Sequence, residues 1–325
     1  MASKSFRPAW WLPGGHLQTL WPFFFSRGEA QSFERERLDL ADGDFIDLDW
    51  DTQAPLDGPL VLVLHGLEGS SDSAYVRRLL PQLRNYGLRA VVMHFRGCSG
   101  ESNRLRRAYH AGDSRDLDEV VARLHARNRA QRPVCTIGFS LGGNVLLKWL
   151  GETGSGNPLQ AAAAISVPFD LHAAADRLER GLSRLYQSYL LRPLRAGQRR
   201  KQRERGIAPP LPMDELDRIR TLRVFDDRVT APLHGFSGVD EYYTRSSSRP
   251  WLAHIATPTL LVHARNDPFL GPNGIPSPDE LSPSILFELS DDGGHVGFVS
   301  GRYPWKTEPW LEKRIAEWLS AATRV

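Results

Sequence analysis

From residue 60 onward the chain alternates between short, wholly apolar runs and longer amphipathic ones, and that alternation sets the expected fold. Leu60-Val61-Leu62-Val63-Leu64 has no polar position, as a strand buried on both faces of a parallel sheet requires. Further runs of this kind stand at 90–93, 134–137, 162–167, 259–262 and 285–287. Helix-like segments separate several of them, over 74–86, 113–127 and 141–150, and a last amphipathic stretch covers 310–321. Strands and helices in this order predict a mostly parallel, doubly wound α/β sheet with helices on both faces. Ahead of it, 33–40 and 45–51 alternate apolar and polar around Ala41-Asp42-Gly43, which predicts an antiparallel pair.

The rhythm breaks between about 169 and 250, a stretch rich in arginine, helix formers and aromatics that holds no clear buried strand. Residues 1–168 and 251–325 are therefore expected to form one α/β core, and residues 169–250 an inserted helical cap. The Pro/Gly-rich piece 268–283 is expected to be a long loop.

Composition changes this picture little: 325 residues, 41% apolar and 24% charged, suffice for a large buried core. Cys98 and Cys135 are the only cysteines, too few for a disulfide framework and outside any CxxC or Cys/His zinc spacing, so a reducing cytosol is expected. Pro, Gly, His and Gln interrupt the apolar N-terminus before a signal-peptide core forms. No run approaches the roughly 20 apolar residues of a membrane span.

The net charge is only +3, yet Arg192, Arg195, Arg199, Arg200, Lys201, Arg203 and Arg205 crowd one stretch. Such a run reads either as a solvated helix face or as a peripheral contact with anionic lipid. Nucleic acid is not an expected partner, because no fold for it accompanies the charge. Nothing in the chain specifies an oligomeric state.

The candidate chemistry begins at Gly138-Phe139-Ser140-Leu141-Gly142. This G-x-S-x-G form is that of a nucleophile elbow, where a serine sits on a sharp turn between strand and helix. The pattern alone is short enough to arise by chance; here an apolar run precedes it and a helical stretch follows, as the mechanics require. The two glycines are expected where flanking backbones approach and dihedrals are unusual. An oxyanion needs two backbone donors: Leu141 N–H is one candidate, and Leu67 N–H, in His65-Gly66-Leu67-Glu68-Gly69 after the 60–64 run, is the other.

In a serine triad of this order the acid and then the base follow the nucleophile. His295, in a glycine-rich setting after the last apolar run, is the expected base, while His65 is expected to shape its loop. Asp267, at the end of the 259–262 run, is the expected acid, with Asp170 as its rival. Asp291 and Asp292 lie too close to His295 in sequence to be its natural partner and are expected to shape its loop. Glu68 would line the pocket or face solvent. The aromatics Tyr186, Tyr189, Phe225, Phe236, Tyr242, Tyr243 and Trp251 would line an acyl pocket or form the core of the cap.

Several segments together resemble one family. They are Gly15-His16-Leu17-Gln18-Thr19-Leu20-Trp21-Pro22, the 65–69 loop, Arg96-Gly97-Cys98-Ser99-Gly100, the elbow with Gly143-Asn144, Asn266-Asp267-Pro268-Phe269, and Gly294-His295. Across nearly the whole chain the pattern is similar to the YheT-like branch of α/β hydrolases, which includes ABHD1/ABHD3-type proteins and yeast ethanol acyltransferase/esterases. The resemblance implies the α/β-hydrolase fold, a triad at Ser140, Asp267 and His295, and esterase, lipase, phospholipase or acyl-transfer activity on short- or medium-chain acyl groups.

The expectation is a serine carboxylic ester hydrolase working without metal or organic cofactor on a small acyl ester or lipid. Acyl transfer to an alcohol through the same intermediate, or a non-catalytic lipid-binding role, are the alternatives.

Overall fold

A computed structural model describes residues 5–26, 28–127 and 132–324. The strands of the central sheet are β1 Phe33–Asp39, β2 Phe45–Asp51, β3 Leu60–Leu64, β4 Arg89–Met93, β5 Val134–Phe139, β6 Ala161–Ile165, β7 Thr259–Ala264 and β8 Ile285–Ser290, and a separate antiparallel hairpin joins Ser300–Tyr303 to Lys306–Glu308. The eight strands of the central sheet lie in the order β1-β2-β4-β3-β5-β6-β7-β8. β1 and β2 pair antiparallel, as does β2 with β4, and every other pairing within this sheet is parallel. The expected doubly wound, mostly parallel sheet is therefore observed.

The apolar runs feed two cores because successive side chains on a strand point to opposite faces. Leu62, Leu64, Val91 and Met93 join one cluster, and Val61, Val63, Ala90 and Val92 join the other. Before the central sheet lies α1, Gly15–Phe25, and within it come α2 Ala74–Asn85, α3 Ser114–Arg127 and α4 Leu141–Thr153. Leucines of α3 and α4 fill the first cluster; those of α2 and of the C-terminal helix Trp310–Ala322 fill the second.

Parallel register brings the functional ends of the strands level. Leu64 stands opposite Gly138, Gly138 opposite Ala164, and Ile165 opposite Val262. The loops leaving β3, β5, β6 and β7 thus emerge along one edge, where ligands bind in open α/β sheets.

Between β6 and β7 the chain forms only helices and turns, led by α5 Leu171–Leu178 and α6 Ser183–Arg205. Leu178, Leu191, Leu216, Ile219 and Phe225 belong to a separate small core there. The basic run lies on the second half of α6, and much of it bonds within the molecule. Arg195 donates to the carbonyls of Asp217 and Ile219, and Lys201 to those of Arg106 and Arg107. Arg200 donates to the Gly97 carbonyl, Arg199 pairs with Asp217, and Arg205 bonds Ser102 and Glu101. Among the described residues no helix is long and apolar enough to cross a membrane.

Candidate active site

Ser140 joins β5 to α4 with φ 50° and ψ −117°, a left-handed backbone that is costly for any side chain. The glycines around it serve close approach. A Cβ on Gly142 would lie 2.4 Å from the His65 carbonyl oxygen, and one on Gly138 would lie 2.6 Å from that of Gly142. The unusual dihedral thus falls on the serine itself, whereas the sequence suggested it for the glycines.

His295 lies beside this turn, 155 positions away along the chain, with Nε2 3.0 Å from Ser140 Oγ. Its Nδ1 is 2.8 Å from Asp267 Oδ2. The other carboxylate oxygen, Oδ1, accepts the Phe269 amide at 2.8 Å, so Asp267 is buried with both oxygens bonded. That arrangement favours the tautomer with its proton on Nδ1, leaving Nε2 as an acceptor for the serine hydroxyl. The Phe269 ring stacks on the imidazole, with centroids 4.0 Å apart.

The His295 loop is tied down at successive amides. Gly294 N–H donates to Asn266 Oδ1 at 3.0 Å, His295 N–H to Thr19 Oγ1 at 2.8 Å, and Val296 N–H to Ser166 Oγ at 2.9 Å. Asp292 accepts from the Asn266 amide and so orients it. The rival acid Asp170 instead caps α5, accepting the Ala173 amide. Asp291 pairs with Arg265 at the surface.

Thr19 belongs to α1, a helix and a role that sequence reasoning missed. Leu17, Leu20, Trp21 and Phe24 do have helical spacing, but Gly15 and Pro22 speak against a helix. Gly15 is required by contact, since its Cβ would lie 1.9 Å from the Asn266 carbonyl oxygen. Gln18 is buried; its Oε1 accepts the Val299 amide and its Nε2 donates to Leu12 and Val299 carbonyls.

The loop after β3 sits against the same turn. Gly66 N–H donates to Tyr75 Oη at 2.8 Å and Glu68 N–H to Tyr109 Oη at 2.9 Å. The amide between them, Leu67 N–H, has no hydrogen-bond partner among the described residues. Leu141 N–H opens α4, where no intrahelical acceptor exists. Both residues border the cavity at Ser140.

His65 shapes this loop: its ring bonds the Gly66 carbonyl at 2.7 Å and accepts the Phe95 amide at 3.2 Å. Burial, with His94 nearby, pushes its pKa down to about 3, so it stays neutral. Glu68 borders the cavity with its carboxylate bonded by Tyr109 O–H at 2.8 Å, and burial raises its pKa.

The cavity itself has a volume of about 640 Å³, within the range of pockets that enclose a small-molecule ligand. Leu171, Leu178, Leu190, Leu194 and Leu222 give it apolar walls. The aromatics divide: Tyr189, Tyr242 and Tyr243 line the cavity, Phe225 sits in the small helical core, and Tyr186 bonds His16 and packs against Phe269. Phe236 packs against Tyr242, while Trp251 crowds Gly151 of α4.

Strand order, elbow and cavity together define an α/β hydrolase, and the sequence profile of the α/β hydrolase fold matches residues 59–301. Among relatives, YheT of Escherichia coli (strain K12) is 40% identical over 98% of this chain and 94% of its own. Phospholipase ABHD3 of Homo sapiens is 31% identical over 99% of this chain and 80% of its own. The solved esterase Pf2001 of Pyrococcus furiosus, 16% identical, superposes with a TM-score of 0.57 over 90% of this chain and 94% of its own, a likeness of fold. The chain belongs to the α/β-hydrolase family, in its YheT/ABHD3 branch, and is an enzyme of esterase and lipase type.

Proposed function

We propose that the chain is a serine carboxylic ester hydrolase in which Ser140 is the nucleophile, His295 the base and Asp267 the acid. The observation that carries this reading is the unbroken relay from Ser140 Oγ to His295 Nε2 at 3.0 Å and from Nδ1 to Asp267 at 2.8 Å. Ser140 Oγ bonds to the acyl carbon while its proton passes to Nε2, and Asp267 stabilises the imidazolium. Leu67 and Leu141 N–H receive the oxyanion, each donor of this kind being worth about 3 kcal/mol. The ester C–O bond then breaks, and the departing alkoxide takes the proton from Nε2. Water, deprotonated by His295, attacks the acyl carbon; the bond to Ser140 Oγ then breaks, Oγ takes the proton back from Nε2, and the carboxylic acid leaves.

The apolar walls of the cavity favour short- to medium-chain acyl groups, as free esters or lipids. In this reading residues 169–250 are the cap, because Leu171, Leu178, Leu190, Leu194 and Leu222 all come from them. A fluorophosphonate probe should label wild type and leave Ser140→Ala unlabelled, and aryl esters of increasing chain length should show an optimum. A folded wild type that neither takes the label nor cleaves any ester of the panel contradicts the proposal.

A further inference from the structure

The mouth of the cavity carries an apolar surface that the chemistry at Ser140 does not use. Leu182, Leu185 and Tyr189 follow at spacings of three and four residues at the start of α6, so they share one face. They are 62%, 69% and 58% exposed. Phe24 and Phe25, at the end of α1, are 56% and 71% exposed.

Ring contacts join the two helices into one strip. Tyr189 meets Phe23 with centroids 5.6 Å apart, Phe23 meets Phe24 at 5.0 Å, and Phe24 meets Phe25 at 6.3 Å. Phe23 and Tyr189 also line the cavity at Ser140. Residues that both line a cavity and face solvent mark its mouth, so the strip runs from the interior wall to the outer surface.

We propose that this strip, and not the basic run of α6, docks the enzyme on a phospholipid bilayer and aims the cavity mouth at it. The proposal rests on the reading of the cavity as the acyl site. A contiguous exposed apolar patch calls for a partner. A protein or a second copy of the chain seated on the strip would close the mouth, whereas a bilayer can supply an acyl chain through it.

The neighbouring charge fits the same partner. Arg180, Arg184 and Arg192 flank the strip, exposed and without an ion pair among the described residues. Apolar groups bordered by cations form the pattern of a helix lying in an anionic lipid interface. The run from Arg195 to Arg205 lacks that freedom, because most of its cations bond within the molecule.

Co-sedimentation of the full chain with vesicles of phosphatidylcholine, alone or mixed with phosphatidylglycerol, tests this. Wild type and Ser140→Ala should bind the mixed vesicles equally. Phe24→Asp/Leu185→Asp, two positions outside the cavity wall, should bind at least about ten-fold more weakly. The same variant should keep its thermal midpoint and its rate on a water-soluble aryl ester. Arg184→Glu/Arg192→Glu should lose binding mainly where phosphatidylglycerol is present, and Arg203→Glu should change little.

Absence of wild-type binding to either vesicle overturns the proposal, as does full binding by the aspartate variant. A dimer that the aspartates convert to monomer, without any vesicle binding, assigns the strip to a second copy and overturns it too. Vesicle binding without hydrolysis of any ester leaves the surface standing and defeats the catalytic reading alone.

Discussion

Two loops face Ser140, and their backbone amides are treated in opposite ways. In the loop after β3 the amides of Gly66 and Glu68 are held by tyrosine hydroxyls while the one between them, at Leu67, has no partner among the described residues. In the loop around His295 the successive amides of Gly294, His295 and Val296 are all bonded, by Asn266, Thr19 and Ser166. In the proposed mechanism the first loop offers a backbone donor, and it keeps one amide open while its neighbours are braced. In the same proposal the second loop offers a side chain, and its backbone is closed around the ring. On that reading preorganisation takes a different form in each loop because the proposed working atom differs.

The comparison breaks most visibly at Asp267, the group that orients the ring. Asp267→Asn should lower kcat by about 10³ to 10⁴ with KM little changed and the fold intact, since an amide misassigns the imidazole proton. Steady-state kinetics checks this, and a loss of less than about ten-fold would separate Asp267 from the chemistry.

Next in size is the bracing of the open amide. Tyr109→Phe removes the acceptor of Glu68 N–H, and kcat should fall by about 10- to 100-fold with KM nearly unchanged. A rise in KM alone would make Tyr109 a wall of the cavity and nothing more.

Thr19→Val probes the closed loop from outside. Without the hydroxyl that accepts His295 N–H, kcat should drop about ten-fold, and Thr19→Ser should restore most of it. Equal losses in both variants would point to packing of α1 instead of the hydrogen bond.

The smallest effect concerns His65, which shapes the open loop as a neutral group with its pKa pushed down to about 3 by burial. Its folded value lies below the unfolded one, so the stability it contributes is complete above about pH 6.5 and is lost as pH falls toward the folded value. The thermal midpoint of wild type should therefore approach that of His65→Asn between about pH 7 and about pH 4. A gap that widens on acidification would contradict a neutral buried ring.

How much of this was legible in the chain follows from the range of each interaction. Runs such as 60–64 and 259–262 announce buried parallel strands because their pattern is local, and their ends mark the edge where the loops emerge. The helix α1 was not legible: Gly15 and Pro22 oppose it, and what rewards it is contact with Asn266 and bonds to His295 and Val299, far away in sequence. The place of Leu67 after a strand marks its N–H as a candidate donor, yet the hydroxyls of Tyr75 and Tyr109 that hold its neighbours lie in side chains that no local pattern ties to the loop. Likewise the charge of the α6 run is plain to read, while the carbonyls of Gly97, Arg106 and Arg107 that bind it are not.

The most direct test of the account is to catch the acyl-enzyme itself. Wild type mixed with a short-chain aryl ester, quenched in acid within the first turnover and digested, should yield the Ser140 peptide heavier by the mass of the acyl group, with one aryl alcohol released per acyl group bound. Continued turnover by Ser140→Ala, or an adduct on any other residue in wild type, would contradict it.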